Sequence, residues 1–479
     1  MKKSYRKTLA LVGVLFALTC WAMAYSGNAG KPPTVPGLKL LQAPPAKTGI
    51  VSLSGHLVQD KVYMGGDGTV TLALTLGADP TLDKAVAGNR PLDMVVVLDR
   101  SGSMAEAAKL TNATQAILGL LSRLSQSDRF ALVSYSDQVQ RHSGLLAMTP
   151  PNRAMLEGMV QGIQPSGATN LGAGLQEGIQ LLSEAVKSGR ISRLILISDG
   201  LANRGVTDPA ALGTMAAVAA ERGYAVSSIG VGLDFNEHLM TTIADKGTGN
   251  YYFMESAAAI AQVFDKEFRN SKTVAASSVE VRVPLSPGMT LVHAAGYPIE
   301  VKDGYAVFRP GDLLSGQSRK LFLTLRIPTS DERTWDIGAV SVHYRSDEQP
   351  YSTSLPEPLR VACVGNVNDA LASINKAEWE EKVIKEDYNR LREEVAAAVK
   401  GGKRDEAMKQ IDEYTSSQQA ANAAVGSEVV TGNLEKDVGG LRQTVVDSFA
   451  GPPAEAAKKQ KANAKSLQYE GYQGRRSKN

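Results

Sequence analysis

Cysteine and histidine are scarce in this chain of 479 residues, with two of the first and five of the second. Cys20 lies inside an apolar N-terminal stretch that is expected to be removed, which leaves Cys363 alone and excludes an intramolecular disulfide. Stability therefore rests on packing, and Cys363, beside Val361 and Ala362, is expected to serve as a small buried hydrophobe. The histidines, at 56, 142, 238, 293 and 343, are scattered, and no His-Glu-x-x-His helix exists to hold a catalytic zinc. Neither G-x-G-x-x-G nor a P-loop occurs, so Gly172-Ala173-Gly174 is read as close backbone packing rather than a nucleotide turn. A global basic surplus is also missing. Four of the positive charges behind the net +3 are Lys2, Lys3, Arg6 and Lys7, and without them the balance turns slightly negative, which argues against a nucleic-acid partner.

What is present is the composition of a folded protein, 43% hydrophobic and 21% charged, in a chain long enough for two or three domains. Residues 1–24 have the layout of a secretory signal: a basic start, the apolar run Leu9 to Met23, and Ala22-Met23-Ala24 before Tyr25. Export to the periplasm or beyond is expected. An uncleaved membrane anchor is a further alternative, although the run is shorter than the roughly 20 apolar residues of a spanning helix. A lipoprotein signal is disfavoured by Ala17 and Thr19 ahead of Cys20.

Residues 25–47 are rich in proline and read as an extended spacer. Residues 48–90 and 271–365 alternate apolar and polar positions, as in Val70, Leu72, Leu74, Leu76 and again in Leu321, Leu323, Leu325, Ile327. The first of these segments is too short to bury a face alone, so it is expected to pair with the second in an antiparallel β-sandwich. Between them, residues 91–270 alternate buried-type strands with helices, starting with strand Met94–Leu98 and helix Glu106–Leu121, in the manner of a doubly wound α/β domain. Residues 366–450 carry apolar stripes at helical spacing, such as Ile384, Tyr388, Leu391 and Val395, and read as the core of a helical hairpin or three-helix bundle. Residues 451–479, rich in lysine and arginine, read as a solvated, flexible tail.

Chemistry concentrates at three places. Apolar strand Val95-Val96-Val97-Leu98 ends in Asp99, with Ser101 and Ser103 following; the Ser166-Gly167-Ala168-Thr169 loop precedes a helix; and Leu194-Ile195-Leu196-Ile197-Ser198 ends in Asp199. Loops leaving the carboxyl ends of parallel strands converge on one crevice, so Asp99, Ser101, Ser103, Thr169 and Asp199 are expected to share a pocket. All five offer oxygen, which suits a hard divalent cation such as Mg²⁺, with Mn²⁺ and Ca²⁺ as alternatives, and disfavours zinc. Two carboxylates neutralise such an ion while the hydroxyls do not, so it stays electrophilic toward an external Asp or Glu carboxylate. The plain alternative for Asp-x-Ser-x-Ser alone is a helix N-cap.

These residues resemble the metal-ion-dependent adhesion site of von Willebrand factor type A domains, whose pattern is Asp-x-Ser-x-Ser, a distant Thr and a distant Asp. The resemblance implies that Ser101 and Ser103 bind metal directly, that Asp99, Thr169 and Asp199 do so directly or through water, and that a partner's acidic side chain completes the shell. A sandwich interrupted by such a domain resembles secreted bacterial proteins akin to inter-alpha-trypsin inhibitor heavy chains and calcium-activated chloride channel regulators. The expected function is metal-dependent capture of a protein partner for adhesion or assembly at the cell envelope, without enzymatic activity. Two alternatives stand beside it: a scaffold that recruits partners through the helical region, and a metal-dependent hydrolase, which lacks an obvious general base unless Tyr135 or Asp137 assists.

Overall fold

A computed structural model describes residues 49–80, 90–184, 189–256 and 259–476. The expected signal and spacer lie outside the described residues. At the centre is a seven-stranded sheet in the order Thr248–Met254, Tyr224–Val231, Ile191–Ser198, Leu92–Asp99, Arg129–Tyr135, Val139–Arg141, with Leu146–Ala147 also pairing to Arg129–Tyr135. The first five strands are parallel and the last two run antiparallel to their neighbour.

All eight residues of Leu92–Asp99 are buried, as a strand covered on both faces requires. Met94, Val96 and Leu98 enter a core with helices Lys109–Arg123, Pro150–Gln161 and Ile260–Lys272; Val95 and Val97 enter the opposite core with Leu171–Glu184, Pro209–Glu221 and Glu237–Lys246. Chain order reverses between Leu92–Asp99 and its neighbour Ile191–Ser198, so the connections diverge there and open a crevice at the carboxyl ends. One boundary differs from expectation. The helix read from Glu106 begins at Lys109, because Ala107 and Ala108 adopt left-handed conformations (φ 49° and 55°) and interrupt the helix.

The strands flanking this domain in sequence join each other in space. Thr69–Ala78 pairs antiparallel with Ser318–Arg326, with Leu72 opposite Leu323 and Leu74 opposite Leu321. Their apolar faces share one core with Val279, Val281, Val283, Trp335 and Val342. Cys363 is buried in that core, where burial raises its thiol above the usual range.

Helices from Val367 to Arg476 complete the molecule, and among the described residues none is long and apolar enough to cross a membrane. Helix Tyr388–Lys400 ends at Gly401, and Arg404–Val425 ends at Gly426 in the left-handed conformation, a glycine stop.

The tail departs most from the sequence reading. Instead of a solvated, flexible segment, Pro453–Arg476 is a helix that packs along Tyr388–Lys400 and against the α/β domain. Gly471 permits the approach, since a Cβ there would lie 2.6 Å from the Asn389 carbonyl oxygen. The basic residues are paired across long sequence separations: Lys465 with Glu237 at 2.8 Å, Arg475 with Glu386 at 2.8 Å, Arg476 with Asp245 at 2.7 Å. Such complementarity leaves no local trace in a charge count.

Among the described residues, Arg476 touches the α/β domain, the sandwich and the C-terminal helices. Its guanidinium donates to Asp245 of the α/β domain and the Gly296 carbonyl of the sandwich, and stacks on Tyr472 of its own helix. Arg476→Ala strands a buried carboxylate and is expected to cost roughly 3–5 kcal/mol in urea unfolding. A loss under about 0.5 kcal/mol, the size usual for a free surface position, would contradict this docked tail.

Candidate metal centre

Register brings the acidic strand ends together. Leu98 lies opposite Ile197, so Asp99 emerges beside Ser198, one residue before Asp199. Asp99 is fully buried; its Oδ1 accepts from the Ser101 N–H at 2.8 Å and its Oδ2 from the Ser198 hydroxyl at 2.7 Å. Ser101 Oγ and Ser103 Oγ stand 3.2 Å apart, and Ser103 Oγ donates to Asp199 Oδ1 at 2.8 Å.

The Thr169 loop is stitched to both neighbours. Gly102 N–H donates to the Gly167 carbonyl at 3.0 Å, and Thr169 N–H donates to Asn203 Oδ1 at 2.9 Å. The open space above Gly200 is bordered by two hydroxyls: a Cβ placed there would lie 3.5 Å from Thr169 Oγ1 and 3.6 Å from Ser103 Oγ. All five expected residues thus gather at one sheet edge. Ser103, Thr169 and Asp199 face a cleft of about 730 Å³, with Asp99 beneath them.

The donor chemistry fits a hard cation. The cluster offers only oxygen, and among the described residues no group of three or more His, Cys, Asp or Glu comes together. Burial is the main cause that raises Asp99 from 3.8 to about 6, helped by the nearby Asp199 charge and opposed by the hydrogen bonds from Ser101 and Ser198. A buried carboxylate in this condition favours a neighbouring positive charge.

Lys109, which the sequence reading passed over, places one here: its Nζ lies 2.6 Å from Asp199 Oδ2 and 3.5 Å from the Ser103 carbonyl oxygen. The left-handed Ala107 and Ala108 immediately precede it, and their small side chains held no hint of that turn. The two residues considered as catalytic helpers both border the cluster, Tyr135 beside Asp99 and Ser198 and the half-exposed Asp137 beside the Thr169 loop. Tyr135 is buried and donates to the Ile197 carbonyl, while Asp137 accepts from the Ala168 N–H and pins the Thr169 loop.

Residues 93–266 match the von Willebrand factor type A domain family. The chain is 28% identical over 207 residues to the uncharacterized protein YfbK of Escherichia coli, covering 43% of this chain and 36% of YfbK. It is 26% identical over 280 residues to the uncharacterized protein sll0103 of Synechocystis, covering 56% and 65% respectively. Inter-alpha-trypsin inhibitor heavy chain H3 of Mesocricetus auratus is 29% identical over 203 residues, 40% of this chain and 22% of that one. The chain therefore spans between about a fifth and two thirds of these relatives. Among solved structures, a von Willebrand factor type A protein from Catenulispora acidiphila superposes with a TM-score of 0.65 at 17% identity, over 90% of this chain and 98% of that one. This likeness extends the shared fold beyond the central domain.

The raised Asp99 value has a definite sign for stability. Between about pH 4 and pH 6 the folded chain keeps a proton that the unfolded chain has released, so metal-free stability falls as pH rises through that window. The full cost, reached above it, is up to about 3 kcal/mol. In EDTA at pH 7.5, Asp99→Asn is expected to melt above wild type by calorimetry, with the gap closing toward pH 4. A variant that melts below wild type at pH 7.5 would show that the buried charge is fully compensated.

Proposed function

We propose that this chain, which carries a von Willebrand factor type A domain, is an exported, non-enzymatic protein that captures a partner through a divalent cation, Mg²⁺ by preference, held at Asp99, Ser101, Ser103, Thr169 and Asp199. The observation that carries this reading is the placement of Ser103, Thr169 and Asp199 on the floor of an open cleft, above the buried Asp99. When bound, the cation supplies a coordination position for an Asp or Glu oxygen of the partner.

The chain's own groups do the rest. The Asp99 hydrogen bonds fix the serine loop, the Asn203 amide fixes Thr169, and Lys109 keeps one Asp199 oxygen engaged while the other faces Ser103. Leu201, 56% exposed and two residues after Asp199, adds apolar surface to the cleft for the residues around a partner's carboxylate. Adhesion or assembly at the cell envelope is the setting this reading favours.

The test is capture from an envelope extract by the immobilised full chain in Mg²⁺ and in EDTA, alongside Ser101→Ala and Asp199→Ala. A partner retained by wild type in Mg²⁺ is expected to be lost in EDTA and by at least tenfold in either variant, as removal of a group that holds the metal directly or through its shell implies. Retention indifferent to chelator and to both substitutions would refute the metal bridge.

A further inference from the structure

The cleft above the oxygen cluster has a second wall built by the C-terminal helices. Lys400, at the end of Tyr388–Lys400, and Lys461 and Lys465, from Pro453–Arg476, line it opposite Ser103, Thr169 and Asp199.

These lysines are not equivalent. Lys465 is buried; its Nζ pairs with Glu237 at 2.8 Å, donates to the Phe235 carbonyl at 2.9 Å and lies 3.7 Å from the Phe235 ring centroid. It belongs to the packing. Lys400 and Lys461 have side chains 60% and 62% exposed. Lys400 shares Glu237, at 2.7 Å, with the already paired Lys465, and Lys461 meets the exposed Asp234 at 3.1 Å. Three ammonium groups on this wall thus face two carboxylates. The Lys461–Asp234 pair, exposed on both sides, is weak and exchanges readily for a better-placed anion, while Lys400 keeps an exposed ammonium beside a buried Glu237 that Lys465 also pairs. Leu201 and Leu233 also line the cleft, so an apolar surface adjoins the charged one.

We infer that the cleft takes a short acidic segment of a partner protein bearing two carboxylates, one directed at the oxygen cluster and the other at Lys400 and Lys461. This rests on the metal-bridge reading and adds that the helical region helps choose the partner. A cleft of about 730 Å³ has room for a few peptide residues; its four lysines are matched overall by Glu106, Asp199, Asp234 and Glu237, so the ammonium excess that favours acid is local to the wall of Lys400, Lys461 and Lys465.

Two labelled synthetic peptides of equal length serve as probes in fluorescence anisotropy with the full chain. One carries a single Asp among Gly and Ser; the other carries the Asp and a Glu three residues later. In Mg²⁺ the two-acid peptide is expected to bind wild type roughly fivefold more tightly than the one-acid peptide. That ratio should fall to near one in the double variant Lys400→Gln/Lys461→Gln. It should persist in Lys409→Gln, an exposed lysine outside the cleft. Equal affinity of the peptides for wild type, or a ratio preserved in the double variant, overturns the two-carboxylate cleft while Mg²⁺-dependent binding leaves the metal bridge standing. Binding of both peptides unchanged by EDTA, or no binding of either, overturns the metal bridge and this inference with it.

Discussion

Two carboxylates held side by side at the edge of a parallel sheet are the constraint around which the rest of the molecule is arranged. Pairing of Leu92–Asp99 with Ile191–Ser198 leaves no freedom in this: one strand ends in Asp99 and the other leads directly into Asp199, both almost wholly removed from water. Like charges in a low dielectric repel strongly, and burial already pushes Asp99 up to about 6. The chain answers with hydroxyl and N–H donors from Ser101, Ser103 and Ser198 and with the Lys109 ammonium. The acidic pair thus already has one positive charge, the Lys109 ammonium, against it.

Mounting this edge in the larger fold gives it a second surface. The sandwich closes across the inserted domain through Thr69–Ala78 and Ser318–Arg326, and Arg193 of the domain bridges to Asp312 beside the sandwich strands. The C-terminal helix then returns to the domain, where Lys465 holds the Phe235 carbonyl and Gln473 donates to the Tyr251 carbonyl. Segments more than 200 residues apart in sequence therefore face one cleft. Packing of the last helix thereby bears on what the oxygen cluster can reach.

The parts legible in the sequence are those written in local pattern. Strand Leu92–Asp99 is a continuous apolar run because both its faces are covered, and the alternation of Val70 to Leu76 and of Leu321 to Leu325 specifies two strands with one buried face each. The five oxygen-bearing residues follow the ends of such strands or open a helix, which is why they were recoverable as a group. The C-terminal helix reads as a solvated tail because six basic residues dominate its composition, while the stripe Ala464, Leu467, Gly471, Tyr472 and Arg475 consists largely of small or polar-tipped residues. The acids that pair with Lys465 and Arg476 lie in Glu237–Lys246, far upstream. Lys109 escaped for a similar reason: its position depends on the left-handed Ala107 and Ala108, a backbone choice that alanine does not advertise.

The most direct test of the oxygen cluster is a Mn²⁺ titration of the full chain followed by electron paramagnetic resonance, with Mg²⁺ as competitor. The account predicts one Mn²⁺ bound per chain, displaced by Mg²⁺, with affinity reduced at least tenfold in Ser101→Ala/Ser103→Ala. Mn²⁺ bound equally well by that double variant, or not bound by the wild type at all, would contradict it.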